Sequence, residues 1–180
     1  MRSKKTWRAL VVVAIGALLA LAGSALAAPG GAKLLIKGQP SFRANAFLTE
    51  AFRYAPGTIT VHSGATVTLT NQSVAPHSLT VVKRPQVPRT VRQIEECGFC
   101  EQTIQAHGIG GPESGPPGPP AHPVLDVGAA GVDQPGDSIL IGPKGSHAQV
   151  RFKVTAKPGT TLNFLCAFHP WMQGRIKVIK

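Results

Sequence analysis

"TTLNFLCAFHPWMQGRIKVIK" (160–180) contains two strand-like runs joined by a short loop that holds a cysteine, a histidine and a methionine. Cys166, His169 and Met172 are spaced three residues apart, although the whole chain has only three cysteines, six histidines and two methionines. Cys166 closes an apolar run, and Gly174 should let the chain turn into the last strand. Because thiolate, imidazole and thioether groups are all metal donors, this stretch predicts a metal site between two strands.

The rest of the chain repeats the short strand-like pattern and predicts an all-β fold. Further runs lie at 33–38, 57–64, 65–72, 77–83, 137–142 and 147–154. Ser63-Gly64 fits a tight turn between antiparallel strands, and Pro158-Gly159 marks another turn. Residues 41–52 could hold a helical turn, and no long stretch has a helical period. Many short strands separated by Gly and Pro indicate a β-sandwich or barrel.

The regular spacing of strands breaks over 84–136, which we interpret as a long insertion on a single domain, 28–180. Between Gly108 and Pro123 most residues are Gly or Pro, which excludes a helix or an inner strand there. The insertion should therefore lie apart from the core.

A second imidazole can complete the donor set around Cys166. His77 in "NQSVAPHSLTVV" (71–82) starts a predicted strand, and a strand start and a strand end can meet at one pole of a sandwich. Two histidines and one cysteine in a trigonal plane, with a weak axial methionine, form the blue-copper arrangement. Thiolate and thioether favour Cu(I), and imidazole accepts both oxidation states.

"PHSLTVV" (76–82) and "CAFHPWMQGRIKV" (166–178) resemble the cupredoxins, the small blue-copper proteins. The Cys-x2-His-x2-Met spacing is similar to that of amicyanin, whereas plastocyanin has a longer His-to-Met step. The resemblance covers roughly 50–83 and 137–180 and implies a Greek-key β-sandwich. By the same resemblance His77, Cys166, His169 and Met172 are the ligands of one copper ion.

Ser78 departs from a common cupredoxin pattern, in which an asparagine follows the first copper histidine. Rusticyanin-like cupredoxins, which have high potentials, also carry serine there. Since hydrogen bonds near the thiolate tune the site, we expect a raised potential.

The N-terminal segment has the pattern of a secretory signal peptide. A basic start precedes the uncharged apolar run 9–22 and the small-x-small site Ala25-Leu26-Ala27, which predicts cleavage after residue 27. An uncleaved membrane anchor is the alternative, although the run is short for a span. The expected location is the periplasm, cell envelope or extracellular space. Removing this segment lowers the net charge from +11 to +7, which could favour an anionic membrane surface or acidic partners.

Cys97-Gly-Phe-Cys100 in the insertion is expected to form a disulfide in an exported protein. A second metal site with His107 or His122 is the alternative. Thioredoxin-like chemistry is disfavoured because no helical pattern follows the motif. His62, His122 and His147 are expected at the surface, and Trp171 could either cover the copper or face a partner.

These features predict a one-electron carrier that meets redox partner proteins, acts as a monomer and does not bind nucleic acid. A copper enzyme would need further centres, but the chain has no His-x-His pair and is too short for two such domains. A copper chaperone or store in the cell envelope is the remaining alternative, which the C-x-x-C motif keeps open.

Overall fold

The computed structural model describes residues 31–110, 122–145 and 147–180. Within them the strands are β1 (Ala32–Lys37), β2 (Pro40–Arg43), β3 (Phe47–Glu50), β4 (Arg53–Ala55), β5 (Thr58–His62), β6 (Thr66–Asn71), β7 (His77–Val82), β8 (Val124–Leu125), β9 (Ser138–Ile141), β10 (Gln149–Lys153), β11 (Thr161–Leu165) and β12 (Gln173–Ile179). The helices are a 3-10 turn (Arg84–Gln86), α1 (Val91–Glu95) and α2 (Gly98–Ala106). The predicted signal peptide, 1–27, lies outside the described residues.

The strands form two sheets that pack as a sandwich. One sheet has the order β10-β6-β1-β4 and the other β5-β12-β11-β7-β9-β8, while β2 and β3 form a separate hairpin. The β1–β6 and β5–β12 pairs are parallel and the other pairs are antiparallel. Every strand-like run in the sequence became a strand, so the predicted all-β sandwich is confirmed.

The core between the sheets is built from alternate residues of each strand. Leu34, Leu69, Leu79, Phe164 and Ile176 are fully buried there, as the two-residue period of a strand requires. Cys166 and Met172 belong to the same buried cluster. The predicted metal donors therefore lie at one end of the hydrophobic core.

The turn at Ser63-Gly64 differs from its prediction. β5 pairs with β12, whereas β6 pairs with β1 and β10, so the two strands flanking the turn lie in different sheets. The N–H of Gly64 donates to the carbonyl of Val154 at 2.7 Å, and this glycine has a φ of +84°. The turn therefore carries the chain from one sheet to the other.

The helical turn expected within 41–52 was wrong, because this segment is the β2–β3 hairpin. Asn45, with a φ of +56°, provides the left-handed residue that the tight turn needs. The N–H of Ala46 donates to the carbonyl of Arg43 at 3.2 Å and closes the turn. Phe42 and Leu48 are exposed on the hairpin. Because neither face of the hairpin is buried in the core, its apolar residues do not follow the two-residue period of a half-buried strand.

The described part of the insertion, 84–110 and 122–136, holds helices and packs closer to the core than expected. A helix, α2, does follow Cys97, contrary to prediction, and Cys100 packs with Val82, Leu165 and Ala167. The helix is short and largely polar, so its sequence shows no clear apolar period. Packing on the outer face of the six-stranded sheet supports it instead.

Gly174 lies within β12 rather than at a turn, directly opposite Phe164 on β11. A Cβ atom at this position would lie 2.3 Å from the Phe164 ring and 2.9 Å from the carbonyl oxygen of Gly57. The glycine therefore makes room for the largest core side chain of β11, two residues from Cys166.

Gly174→Ala should lower the free energy of unfolding by about 1–3 kcal/mol, because the added methyl group overpacks the core against Phe164. Gly98→Ala is the matched control, since a Cβ atom there meets nothing within 4 Å. Urea denaturation of both variants beside the parent measures the difference. Equal stability of the two variants would show that Phe164 does not need this space.

Candidate metal centre

Three of the predicted donors converge on one point. The Cys166 Sγ atom lies 3.6 Å from the Nδ1 atom of His77 and 3.6 Å from the Nδ1 atom of His169. The two Nδ1 atoms are 3.1 Å apart. No other cluster of three such donors occurs within the described residues. A soft thiolate with two imidazoles is the donor chemistry of a copper site, so the residues present fit a copper ion.

The pairing of β7 with β11 produces this convergence. Leu165, the last residue of β11, pairs with Thr80 on β7, so Cys166 comes beside the start of β7, where His77 lies. The N–H of Ser78 donates to the Cys166 sulfur at 3.3 Å. One backbone hydrogen bond therefore fixes the sulfur relative to the first histidine.

The loop between β11 and β12 folds back on itself through short backbone hydrogen bonds. The N–H of His169 donates to the Cys166 carbonyl at 3.2 Å, and the N–H of Met172 donates to the His169 carbonyl at 2.8 Å. The N–H of Cys166 in turn donates to the Met172 carbonyl at 3.0 Å. These bonds tie the three residues to one another, and Met172 is fully buried in the same core cluster as Cys166.

His77 is oriented by its second ring nitrogen. Its Nε2 atom lies 2.8 Å from the Ser73 hydroxyl oxygen, and Ser73 is itself held by the Asn71 side chain, which accepts from the Ser73 N–H at 2.9 Å. This arrangement directs Nδ1 towards Cys166. Partners of this kind set the orientation and basicity of metal-ligating histidines.

Aromatic and acidic side chains surround the second histidine. Phe52 contacts the rings of His77 and His169, each at a centroid distance of 4.9 Å, and Trp171 meets His169 edge-on at 5.2 Å. The Nε2 atom of His169 lies 3.8 Å from a carboxylate oxygen of Glu50. His169 is therefore the donor nearest to solvent, beneath the partly exposed Trp171.

Burial controls the protonation of the donors in the metal-free protein. Burial, and to a smaller extent the neighbouring His169, lowers the pKa of His77 to about 3. Burial also lowers the pKa of His169, against the opposite effect of Glu50. The pKa of the Cys166 thiol is raised by burial to about 11, although hydrogen bonds from nearby N–H groups and the Ser78 hydroxyl oppose this change. At neutral pH both imidazoles are therefore uncharged, which is the form that binds a metal. The thiol must lose its proton as the metal binds.

The cysteines and histidines of the insertion lie outside this cluster. The Cys97 and Cys100 sulfur atoms are joined in a disulfide, and His107 is buried with both ring nitrogens engaged by Ser138 and by the carbonyl of His122. The structure therefore does not bring these groups together as a second donor set. His62, His122 and His147 lie at the surface.

Comparison with known proteins agrees with this geometry. The family model for copper binding proteins of the plastocyanin/azurin family matches residues 44–179. The chain belongs to this family. Plastocyanin/azurin proteins are small blue copper proteins, typically electron carriers and generally without enzymatic activity. In this member of the family the cluster of His77, Cys166, His169 and Met172 is consistent with a type 1 copper site.

Solved structures of other small copper proteins are similar to this chain at low sequence identity. Auracyanin from Roseiflexus castenholzii is 20% identical over 83% of this chain and 97% of its own, with a TM-score of 0.45. Plastocyanin from Dryopteris crassirhizoma is 17% identical over 82% and 99%, with a TM-score of 0.40. A mutant of amicyanin in its reduced Cu(I) form is 14% identical over 84% of both chains, with a TM-score of 0.42. No curated protein sequence matches the chain.

Several residues around the centre were not predicted from the sequence. Glu50 ends the β2–β3 hairpin and Phe52 lies in the link between β3 and β4, more than twenty residues before His77, and no local pattern marks them. Ser73, by contrast, lies four residues before His77, so the spacing Ser-x3-His was a usable signal. None of the helices within the described residues has the length and hydrophobicity needed to span a bilayer.

The metal-free protein should lose stability as the pH falls from about 6.5 towards about 3. The pKa of His77 is about 3 in the folded protein, against an ordinary value of 6.5, so below pH 6.5 the unfolded chain binds a proton that the folded chain refuses. Urea denaturation of the metal-free protein at a series of pH values measures this loss. His77→Gln should show a shallower slope than the parent, and equal slopes in the parent and His77→Gln would contradict the assignment.

Proposed function

We propose that this protein is a type 1 copper protein that carries one electron at a time between redox partner proteins. The observation that carries the proposal is the convergence of Cys166 Sγ with the Nδ1 atoms of His77 and His169, at separations of 3.1–3.6 Å. In a protein whose family binds copper, this donor set is the one that a copper ion needs in order to cycle between Cu(II) and Cu(I).

Each donor has a separate role in the proposed site. His77, Cys166 and His169 would supply the three strong donors to a copper ion, and Met172 would supply a weak thioether donor. When bound, copper supplies the one-electron chemistry by alternating between its two oxidation states. The residues around it hold the donors in place: Ser73 fixes His77, the Ser78 N–H fixes Cys166, and the loop hydrogen bonds fix His169.

A rigid donor set supports fast electron transfer, because little rearrangement is needed when the charge of the site changes. His77, Cys166 and Met172 are each no more than 1% exposed, so water is excluded from most of the site. His169 offers the shortest route to the surface, under Trp171, which is 39% exposed. We therefore expect partner proteins to dock over His169 and Trp171.

A copper enzyme and a copper chaperone or store are less well supported by the structure than an electron carrier. The described residues hold a single donor cluster, whereas a copper oxidase needs several. A second copper-binding motif in the insertion would need free Cys97 and Cys100 thiols or free His107 nitrogens, and these groups are bonded to one another or to neighbours. We regard the protein as a carrier and not an enzyme.

The setting of the carrier follows from the N-terminal sequence. The predicted cleavage after residue 27 would release the protein into the periplasm, cell envelope or extracellular space. The remaining chain carries a net charge of +7, which suits acidic redox partners or transient contact with an anionic membrane surface. We expect a monomer with no nucleic-acid partner.

Cys166→Ser should abolish the intense visible absorption of the copper-loaded protein and most of its Cu(II) affinity, because the thiolate supplies both the charge transfer and the strongest bond. The sandwich should still fold, since serine is close in size to cysteine. Visible and EPR spectra, with copper stoichiometry, measure the change. A variant that stays blue would remove Cys166 from the ligand set.

Met172→Gln is the companion variant for the axial position. It should keep one copper ion and the blue colour but lower the reduction potential, because an oxygen donor favours Cu(II). Complete loss of copper would show that Met172 is more than a weak axial ligand.

A further inference from the structure

The only tyrosine of the chain, Tyr54, joins the two sheets beside the candidate metal centre. It lies on β4, at the edge of the four-stranded sheet, and its hydroxyl donates to the carbonyl of Ser78 on β7 of the six-stranded sheet. Tyr54 is 4% exposed, and its ring meets the Phe164 ring edge-on at a centroid distance of 4.8 Å. The hydrogen bond therefore crosses the core and ends at the residue that follows His77.

The register of β7 shows which way the backbone groups of Ser78 point. Neighbouring residues of an antiparallel strand direct their N–H and carbonyl groups to opposite edges. The N–H of Val81 donates to the carbonyl of Asp137 at 2.8 Å, on the side of β9. Ser78 and Thr80 therefore direct their backbone groups to the side of β11. Thr80 pairs there with Leu165, the last residue of that strand.

Ser78 lies just beyond the end of this ladder, because β11 ends one residue before Cys166. On the other side, the residue paired with Ser78 is Leu140, whose N–H donates away from β7 to the carbonyl of Pro123. Side chains take the place of the missing strand. The N–H of Ser78 donates to the Cys166 sulfur at 3.3 Å, and its carbonyl accepts from the Tyr54 hydroxyl.

The two hydrogen bonds depend on each other because they hold the same residue on the same edge. A buried carbonyl that loses its partner is costly, so the Ser78 backbone would turn towards another donor if the tyrosine hydroxyl were absent. Its N–H would then turn away from the sulfur. On the outer face the Ser78 hydroxyl accepts from the N–H of Ala167 at 2.8 Å. Tyr54 supplies the matching hold from the core.

We infer that Tyr54 is a positioning residue: its hydroxyl holds the Ser78 backbone so that the Ser78 N–H donates a hydrogen bond to the Cys166 sulfur. This inference rests on the proposed copper function. The sulfur carries more negative charge when the site is reduced, so a hydrogen bond to it favours the reduced form, as at other metal–sulfur sites. Tyr54 therefore raises the reduction potential although it is not a ligand.

The test is the reduction potential of copper-loaded Tyr54→Phe, measured by electrochemistry beside the parent. Phenylalanine keeps the ring that packs on Phe164 and removes only the hydroxyl. The variant should bind one copper ion and stay blue, but its potential should be lower. If the hydrogen bond to sulfur favours the reduced form about tenfold, its loss lowers the potential by about 59 mV.

Val67→Ala is the matched control for a general loss of stability. Val67 is fully buried and pairs with Ala32 at the start of β1, whereas Tyr54 pairs with Ile36 near the end of that strand. The control should be less stable than the parent but keep its potential. A blue Tyr54→Phe protein with the potential of the parent, or an equal shift in Val67→Ala, would overturn the inference, while the proposed copper function would stand.

Hydrogen exchange of the metal-free protein, followed by NMR, gives a readout that does not depend on copper. The Ser78 amide hydrogen should exchange slowly in the parent and faster in Tyr54→Phe. The amide of Val82, which lies within the β7–β11 ladder, should change less. Equal acceleration of the two amides would show only a loss of overall stability and would contradict a positioning role.

The parent alone decides the question if Tyr54→Phe does not fold. Because the chain has one tyrosine, isotope-labelled tyrosine identifies its hydroxyl hydrogen in the NMR spectrum. This hydrogen should exchange slowly with water, since the hydroxyl is bonded to the Ser78 carbonyl in the core. A freely exchanging hydroxyl, or a Ser78 amide without protection, would overturn the inference. A parent that takes up no copper would instead refute the proposed function and with it the effect on the potential.

Discussion

The pairing of β11 with β7 is the constraint on which the site depends. It ends at Leu165 opposite Thr80, and the next residue, Cys166, places its sulfur against the Ser78 N–H at 3.3 Å. A change of register by one residue would turn Cys166 to the opposite face, because side chains alternate along a strand. The position of the thiolate, the direction of the following loop and the approach of His77 all follow from this pairing.

The insertion is part of the same arrangement rather than an appendage. α2 covers the outer face of the six-stranded sheet, where Cys100 packs with Leu165 and Ala167 on either side of Cys166. The Gln173 side chain donates to the carbonyls of Pro88 and Pro170, and so ties the insertion to the ligand loop. Both faces of β11, the strand that precedes Cys166, are therefore packed, which favours a donor set that holds its shape.

Local patterns predicted the eight strand-like runs, and the four donors were predicted from the loop motif together with the resemblance to cupredoxins. Alternating side chains mark a strand wherever it pairs, and Cys166, His169 and Met172 lie within one short loop. Residues that reach the site from distant segments gave no such signal: Glu50 comes from a hairpin whose apolar side chains are exposed.

The wrong predictions for the Ser63-Gly64 turn and for α2 also arose because contacts with distant segments decided the structure. The Ser63-Gly64 turn has the sequence of a hairpin, but the sheet to which each flanking strand belongs is decided by β12 and β1, which lie far along the chain. α2 is stabilised by burial of Cys100 rather than by its own apolar period.

X-ray absorption spectroscopy of the copper-loaded protein tests the donor assignment, because it counts the atoms bound to the metal. We expect one copper ion with a single short bond to sulfur and two bonds to imidazole nitrogen. A copper ion surrounded only by nitrogen and oxygen, with no bond to sulfur, would contradict the convergence of Cys166, His77 and His169 as the basis of function.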